Sequence, residues 1–119
     1  MPSKLDIQVR EEGDVTVLTL VGQMTLDDGD LAFRKAVHEL LDQKRTKLVA
    51  DIGDVTYMDS AGVGMMAGKL KTVREHGGDL RLARISSKGQ RLLGMMKLLI
   101  AFETHDTVES AVKSFGWKG

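Results

Sequence analysis

One apolar segment, Lys47-Leu48-Val49-Ala50-Asp51-Ile52, constrains the fold more than any other part of the chain. Its apolar residues follow one another instead of alternating with polar residues, which is typical of a strand that is buried on both faces. Such a strand lies inside a parallel or mixed sheet, because helices must cover the sheet on both sides. The segment therefore predicts an α/β domain.

Two further strands precede this segment. Leu5, Ile7 and Val9 alternate with polar residues, which is the period of a strand with one buried face. Residues 15–21 are mostly apolar or β-branched and predict a second strand. Residues 12–14 read Glu-Gly-Asp, a turn sequence, so a hairpin is the simplest connection between the two strands.

A loop over residues 22–29 leads to the first predicted helix. An aspartate near the end of this loop can accept a hydrogen bond from the first free backbone amides and so cap the helix. The candidates for this cap are Asp27, Asp28 and Asp30, and the apolar face of the helix consists of Leu31, Val37, Leu40 and Leu41.

The second half of the chain continues the alternation of strands and helices. Residues 53–58 link the central strand to a second helix over about residues 60–76, which Gly77 and Gly78 end. The remaining elements are a strand at residues 80–83, a helix from Ser86 or Ser87 to about Met96, a strand-like stretch at residues 98–103 and a helix from Asp106 or Thr107. We therefore expect a single domain over residues 1–119, with its core at about 5–112 and a mixed sheet of about four strands with about four helices packed on it.

Charge and composition argue against several functional classes. The 17 basic and 17 acidic residues cancel, so no general nucleic-acid binding is expected. One Trp, one Tyr and three Phe residues are too few for a base-stacking platform. No apolar run approaches the roughly 20 residues that span a bilayer. Strand-like sequence begins directly after the first residues, so no signal peptide is expected. We expect a cytoplasmic protein that binds neither nucleic acid nor membrane.

The segment Asp59-Ser60-Ala61-Gly62 lies where the central strand region leads into the second helix. In open α/β sheets, ligands and partners bind at such a place. Ser60 stands where a helix cap is expected, and a capping role alone would explain a serine there. A second interpretation is phosphorylation, since the free amides and the dipole of a helix N-terminus accommodate a phosphate. Position alone favours capping and leaves both interpretations open.

Catalytic motifs are weak in this sequence. Gly62, Gly64 and Gly68 lack the Gly-Lys-Ser/Thr triplet of a nucleotide-binding loop, and close approach of another backbone, either within the protein or from a partner, explains them better. Ser60 is not part of a G-x-S-x-G nucleophile motif. The three histidines, His38, His76 and His105, fall in separate elements. We therefore expect no enzyme activity and no cofactor.

Three aspartates, Asp51, Asp54 and Asp59, come at the same end of the predicted sheet. Their carboxylates are the ligands that Mg²⁺ prefers. Loop-forming and capping roles explain the same residues without a metal, and we favour that interpretation. No bound metal is expected.

Several segments, in this order, resemble the anti-sigma factor antagonist family, the STAS domain. The most specific is Tyr57-Met58-Asp59-Ser60-Ala61-Gly62-Val63-Gly64, which is similar to the central motif of that family. The strand that ends at Ile52, the turn and strand over residues 77–82, and residues 92–102 fit as well. The resemblance covers about residues 5–112 and implies a mixed sheet with helices packed on it.

The resemblance also implies a function for Ser60. In this family the equivalent serine is phosphorylated by a partner, an anti-sigma factor with serine-kinase activity, which also binds the ATP. The unphosphorylated protein binds that anti-sigma factor and frees a sigma factor, and a phosphatase restores it after phosphorylation. The resemblance implies a monomer or weak dimer whose partner-binding residues are Thr25, Asp27, Asp28, Asp59, Ser60, Ala61, Gly62 and Val63.

Two positions depart from the family pattern. Many members have Gly-x-Leu-Asp after the second strand, whereas this chain has Gly22-Gln23-Met24-Thr25, so Thr25 takes the position of the aspartate. Ala61 stands where many members have a second serine or threonine, which leaves Ser60 as the hydroxyl of the motif. The alternative function is a STAS scaffold or partner subunit, in a stress-signalling complex or with a transporter ATPase, without phosphorylation. A hydrolase or nucleotidase that uses Ser60 or the aspartates ranks last.

Overall fold

The computed structural model describes residues 5–25 and 28–116, and for residues 28–30 it describes the backbone alone. The strands and helices follow in this order: β1 Leu5–Glu12, β2 Val15–Met24, α1 Asp28–Asp42, β3 Lys47–Met58, α2 Ser60–Glu75, β4 Asp79–Ala83, α3 Ser87–Met95, β5 Thr104–His105 and α4 Val108–Lys113. Within these described ranges, none of the helices has the length and apolar character needed to cross a membrane. The predicted α/β class is confirmed, with five strands in the sheet where about four were expected.

The strands form one mixed sheet in the order β1-β2-β3-β4-β5. β1 and β2 are the predicted antiparallel hairpin, with Glu12 opposite Val15 next to the turn. Each later strand joins in parallel, so the carboxyl ends of β2, β3 and β4 lie at one edge of the sheet. Parallel neighbours need crossover connections, which α1, α2 and α3 provide. A site at this edge therefore lies beside the beginnings of these helices.

β3 is buried on both faces, as the apolar segment predicts. Leu48 and Ala50 face the larger core, which α1, α2 and α3 cover, whereas Val49 faces a smaller core covered by α4. All three side chains are fully buried. Full burial of a side chain such as Leu or Val stabilises a fold by about 1.5–3 kcal/mol. This strand therefore holds the two layers of helices together.

β3 is also longer than the sequence predicts. Residues 53–58, interpreted above as a link, continue the strand to Met58. They pair with the end of β2, with one irregularity in register before these pairs and one among them, and β2 itself continues to Met24 inside the predicted loop. Bulges of this kind accommodate extra residues within a strand. Gly53 and Asp54, which are usual turn formers, therefore lie inside a strand here.

The last strand lies elsewhere than predicted. The strand-like stretch over residues 98–103 forms turns, in which the Leu98 N–H donates to the Leu93 carbonyl at 2.8 Å and the Phe102 N–H donates to the Leu98 carbonyl at 3.1 Å. Phe102 is buried in the larger core, which explains the apolar pattern without a strand. The strand itself consists of Thr104 and His105.

Gly77 and Gly78 end α2, as predicted, and each has its own reason to be glycine. Gly77 has a φ of 86°, the left-handed region that other residues adopt at a cost. Gly78 passes so close to the chain before β3 that an added Cβ would lie 1.8 Å from the Thr46 carbonyl oxygen. The turn after α2 therefore packs closely against the residue that precedes β3.

We expect Gly78→Ala to lower the free energy of unfolding by about 1–3 kcal/mol, because the clash is with backbone that cannot move aside. Gly68→Ala is the matched control, since an added Cβ at Gly68 meets nothing within 4 Å. Alanine there should raise the free energy of unfolding by up to about 1 kcal/mol through helix propensity. Urea denaturation of both variants measures the difference, and equal midpoints would contradict this account.

Candidate functional site

The candidate site begins where β2 and β3 end side by side. Met24 and Met58, their last residues, are partners in the parallel pairing. Thr25 and Asp59 follow them directly. The Asp59 N–H donates to the Met24 carbonyl at 3.4 Å, which is longer than the usual range for such a bond. Two segments that are far apart in sequence thus leave the sheet next to each other.

Asp59, not Ser60, caps α2. Its backbone is extended, with φ −107° and ψ 173°, and its Oδ1 accepts a hydrogen bond of 2.7 Å from the Gly62 N–H. Its carbonyl accepts the next amide, from Val63, at 3.0 Å. The expectation that Ser60 stands in the capping position was therefore wrong by one residue. Aspartate and serine are about equally good caps, so the sequence alone could not separate them.

Ser60 is the first residue of α2 and is exposed. Within residues 5–25 and 28–116, its hydroxyl has no hydrogen-bond partner. Ala61 beside it is exposed as well. The hydroxyl therefore lies on the surface, at the positive end of the helix dipole, without a hydrogen bond among the described residues.

Gly62 and Val63 lie beneath this surface. Val63 is fully buried in the larger core. Gly62 is buried against the end of β2, where an added Cβ would lie 2.3 Å from the Met24 carbonyl oxygen. These two residues set the distance between α2 and β2, and so the position of Ser60.

The loop after β2 is the other part of the predicted site. Thr25 is partly buried and lies at the same edge of the sheet as Asp59. Asp28 is the first residue of α1, and Asp27 lies outside the described residues. The structure thus brings Thr25 and the beginning of α2 to one edge.

The exposed face of α2 carries two further glycines, Gly64 and Gly68. Close approach of another backbone, either within the protein or from a partner, was the expected reason for them, and among the described residues an added Cβ at either position meets nothing within 4 Å. Each glycine in a helix costs about 1 kcal/mol relative to alanine. No contact among the described residues offsets this cost.

Sequence reasoning missed Arg84, the residue after β4. Its Nε and Nη2 donate to the two oxygens of Asp51 at 2.7 and 3.0 Å, and Nη2 also reaches Asp54 at 3.3 Å. The hydrogen bond to Asp51 is the main cause that raises the pKa of Arg84. The cation that Asp51 and Asp54 bind is therefore the Arg84 guanidinium. In residues 5–25 and 28–116 no group of three or more acidic, His or Cys side chains could hold a metal ion.

Comparisons with known proteins agree with this architecture. A family model described as the STAS domain matches residues 6–111. The anti-sigma-B factor antagonist of Bacillus subtilis is 26% identical over 112 residues, which are 94% of this chain and 95% of that protein. The crystal structure of an anti-sigma factor antagonist from Mycobacterium paratuberculosis has a TM-score of 0.82 at 18% identity, covering 96% of this chain and 96% of that one.

The anti-sigma factor antagonist SpoIIAA is similar in two forms. Its unphosphorylated form has a TM-score of 0.79 at 19% identity, covering 96% of this chain and 100% of that one. The Bacillus cell fate determinant SpoIIAA in its phosphorylated form has a TM-score of 0.73 at 19% identity, covering 92% and 99%. The likeness in fold extends over nearly the whole of each chain.

The assignment of the helix cap to Asp59 and not to Ser60 can be tested. We expect Asp59→Ala to lower the free energy of unfolding by about 1 kcal/mol, since the helix loses its cap. Ser60→Ala should change it by less than about 0.5 kcal/mol, because an exposed hydroxyl without a partner is removed. Urea denaturation measures both. A loss on Ser60→Ala as large as that on Asp59→Ala would return the capping role to Ser60.

Proposed function

Since the chain belongs to the STAS domain family, we propose that it is an anti-sigma factor antagonist whose binding to its partner is controlled by phosphorylation of Ser60. The observation that supports this most directly is the exposed Ser60 hydroxyl beside a helix cap that Asp59 already supplies. Modification of Ser60 removes no contact of the fold, so the domain stays folded in both states. Phosphorylation then changes the binding of the partner and leaves the fold of the protein itself unchanged.

The proposed reaction belongs to the partner, an anti-sigma factor with serine-kinase activity. The Ser60 oxygen attacks the γ-phosphorus of ATP bound to that partner and loses its proton. The bond between the γ-phosphorus and ADP breaks, and the phosphate becomes an ester of Ser60. A phosphatase later hydrolyses this ester with water. In this scheme the chain is a substrate and a binding partner, with no cofactor and no catalytic residue of its own.

The charge of the phosphate explains how binding is lost. Phosphorylation adds a charge of about −1.5 to −2. The amides at the beginning of α2 and the helix dipole stabilise this charge while the protein is free in solvent. In a complex the same phosphate would be removed from water beside the Asp59 carboxylate, which costs several kcal/mol when no cation compensates. The unphosphorylated protein binds, and the phosphorylated protein is released.

The partner surface that we propose centres on Ser60 and continues along α2. Ala61 and Gly64 are exposed and small, so a partner backbone can approach the helix closely. Thr25 borders this surface, since it follows Met24 at the end of β2, and we include Asp27 and Asp28, which come next in the sequence. Gly62 and Val63 support it from below.

We expect Ser60→Asp to abolish partner binding without loss of fold, and Ser60→Ala to retain it. The partner is first captured from native cells with the unphosphorylated chain and identified by mass spectrometry. The purified kinase is then titrated with each variant by calorimetry. Ser87→Asp is the matched control, because Ser87 is an exposed serine at the first position of α3. Equal affinity of wild type and Ser60→Asp for the kinase would contradict the proposed function.

We expect Gly64→Ala to separate stability from binding. Alanine should raise the free energy of unfolding by up to about 1 kcal/mol, since the added Cβ meets no neighbour within the protein. The same methyl group should weaken partner affinity by about tenfold or more, because it fills the space that a partner backbone would use. Urea denaturation and calorimetry with the same kinase measure the two effects. A variant that is more stable and binds as tightly as wild type contradicts the proposed surface.

A further inference from the structure

Only part of β3 pairs with a neighbouring strand on both of its edges. Its pairing with β4 stops at Asp51, opposite Ala83, although β3 continues to Met58. We call residues 52–58 the β3 arm. Along the arm the strand pairs with β2 on one edge alone, through two irregularities in register. The arm leads directly to Asp59 and Ser60, so its position decides where they lie.

One guanidinium joins the arm to the body of the sheet. Arg84 makes two parallel hydrogen bonds to Asp51, at 2.7 and 3.0 Å, at the point where the pairing with β4 stops. The same Nη2 reaches Asp54 in the arm at 3.3 Å. Asp51 is nearly buried, whereas Asp54 is exposed. The arginine thus ties a residue inside the sheet to a residue inside the arm.

Gly53 lies between these two aspartates and makes the arrangement possible. An added Cβ on Gly53 would lie 2.4 Å from the Cζ of Arg84, inside the guanidinium. The Gly53 N–H also donates to the Asp51 carboxylate at 3.2 Å. Arg84 itself has a φ of 58°, a left-handed conformation that is uncommon for a residue with a side chain. The absence of a side chain at Gly53 is therefore what leaves room for the guanidinium.

Other contacts also hold the arm. The Thr56 hydroxyl donates to the Gly22 carbonyl at 3.1 Å, Ile52 is buried in the larger core, and the Asp59 N–H is 3.4 Å from the Met24 carbonyl oxygen. A charge-assisted pair with two parallel hydrogen bonds, such as that of Arg84 with Asp51, is a strong one. From this fixed position Arg84 reaches the arm through Asp54 and through its packing against Gly53.

We infer that Arg84 is a positioning residue, which acts through Asp51, Gly53 and Asp54 to hold the β3 arm so that Asp59 and Ser60 lie where a partner can recognise them. This inference rests on the proposed function of Ser60 for its consequence in binding. The restraint on the arm can be measured without any partner.

The test uses the full chain with the double substitution Asp51→Asn and Arg84→Asn. Removing both charges avoids a buried carboxylate without a cation, which would destabilise the whole protein. Asparagine also tolerates the left-handed conformation at position 84 better than most residues. The matched control is Arg81→Gln, because Arg81 lies on β4, three residues before Arg84, and also forms an ion pair, at 3.0 Å with Asp79.

Amide hydrogen exchange is followed residue by residue by NMR. We expect amides of residues 54–62 in the double variant to exchange about tenfold faster or more, with β1 and α4 unchanged. In Arg81→Gln the exchange of residues 54–62 should stay as in wild type. Unchanged exchange of the arm, or an acceleration spread evenly over the chain, overturns the inference.

The same variants are then titrated with the kinase used for the Ser60 variants. We expect the affinity of the double variant for the kinase to be lower by about tenfold or more. Arg81→Gln should bind as wild type does. Full affinity together with a loosened arm overturns the role in recognition. If Ser60→Asp binds as wild type does, the proposed function has failed, whereas the exchange result still decides whether Arg84 restrains the arm.

Discussion

The burial of β3 on both faces is the constraint on which the rest of the structure depends. Leu48, Val49 and Ala50 are fully buried between two layers of helices, so a shift in register by one residue would exchange the residues of the two cores. The direction and the register of this strand within the sheet are therefore fixed. Because its continuation leads to Asp59, the place at which α2 begins follows from packing that is remote from the site.

Of the three helices whose caps the structure describes, α2 is capped by an aspartate, whereas α3 and α4 are capped by hydroxyl side chains. In α3 a serine, Ser86, caps the helix and its hydroxyl accepts a hydrogen bond of 3.0 Å from the Gly89 N–H. In α4, Thr107 does the same for the Ser110 N–H. A phosphate on such a capping hydroxyl would change the hydrogen bond that caps the helix. In α2 the cap is a carboxylate, which leaves the Ser60 hydroxyl outside the hydrogen bonds of the fold.

Much of this architecture could be predicted because it depends on periodicity along the chain. The hairpin, the central strand, α2 and its two terminal glycines all have patterns that a short segment contains by itself. The β3 arm could not be found in this way, because Gly53 and Asp54 are turn formers that pairing with β2 keeps in a strand. The contact between Arg84 and Asp51 joins residues 33 positions apart, so it depends on tertiary structure. Ser60 lies at this junction as the first residue of α2, whereas the capping role that was expected of it belongs to Asp59.

The glycines of α2 show why a fold must be judged together with what it binds. Gly62 is explained within the chain, since the end of β2 leaves no room for a Cβ. Gly64 and Gly68 have open space around them, and together they cost the helix about 2 kcal/mol relative to alanine. A domain of this size has a total stability of about 5–15 kcal/mol, so this is a substantial fraction. A cost that nothing among the described residues offsets, on the exposed face that begins at Ser60, is what a helix would show if its complementary surface belonged to another protein.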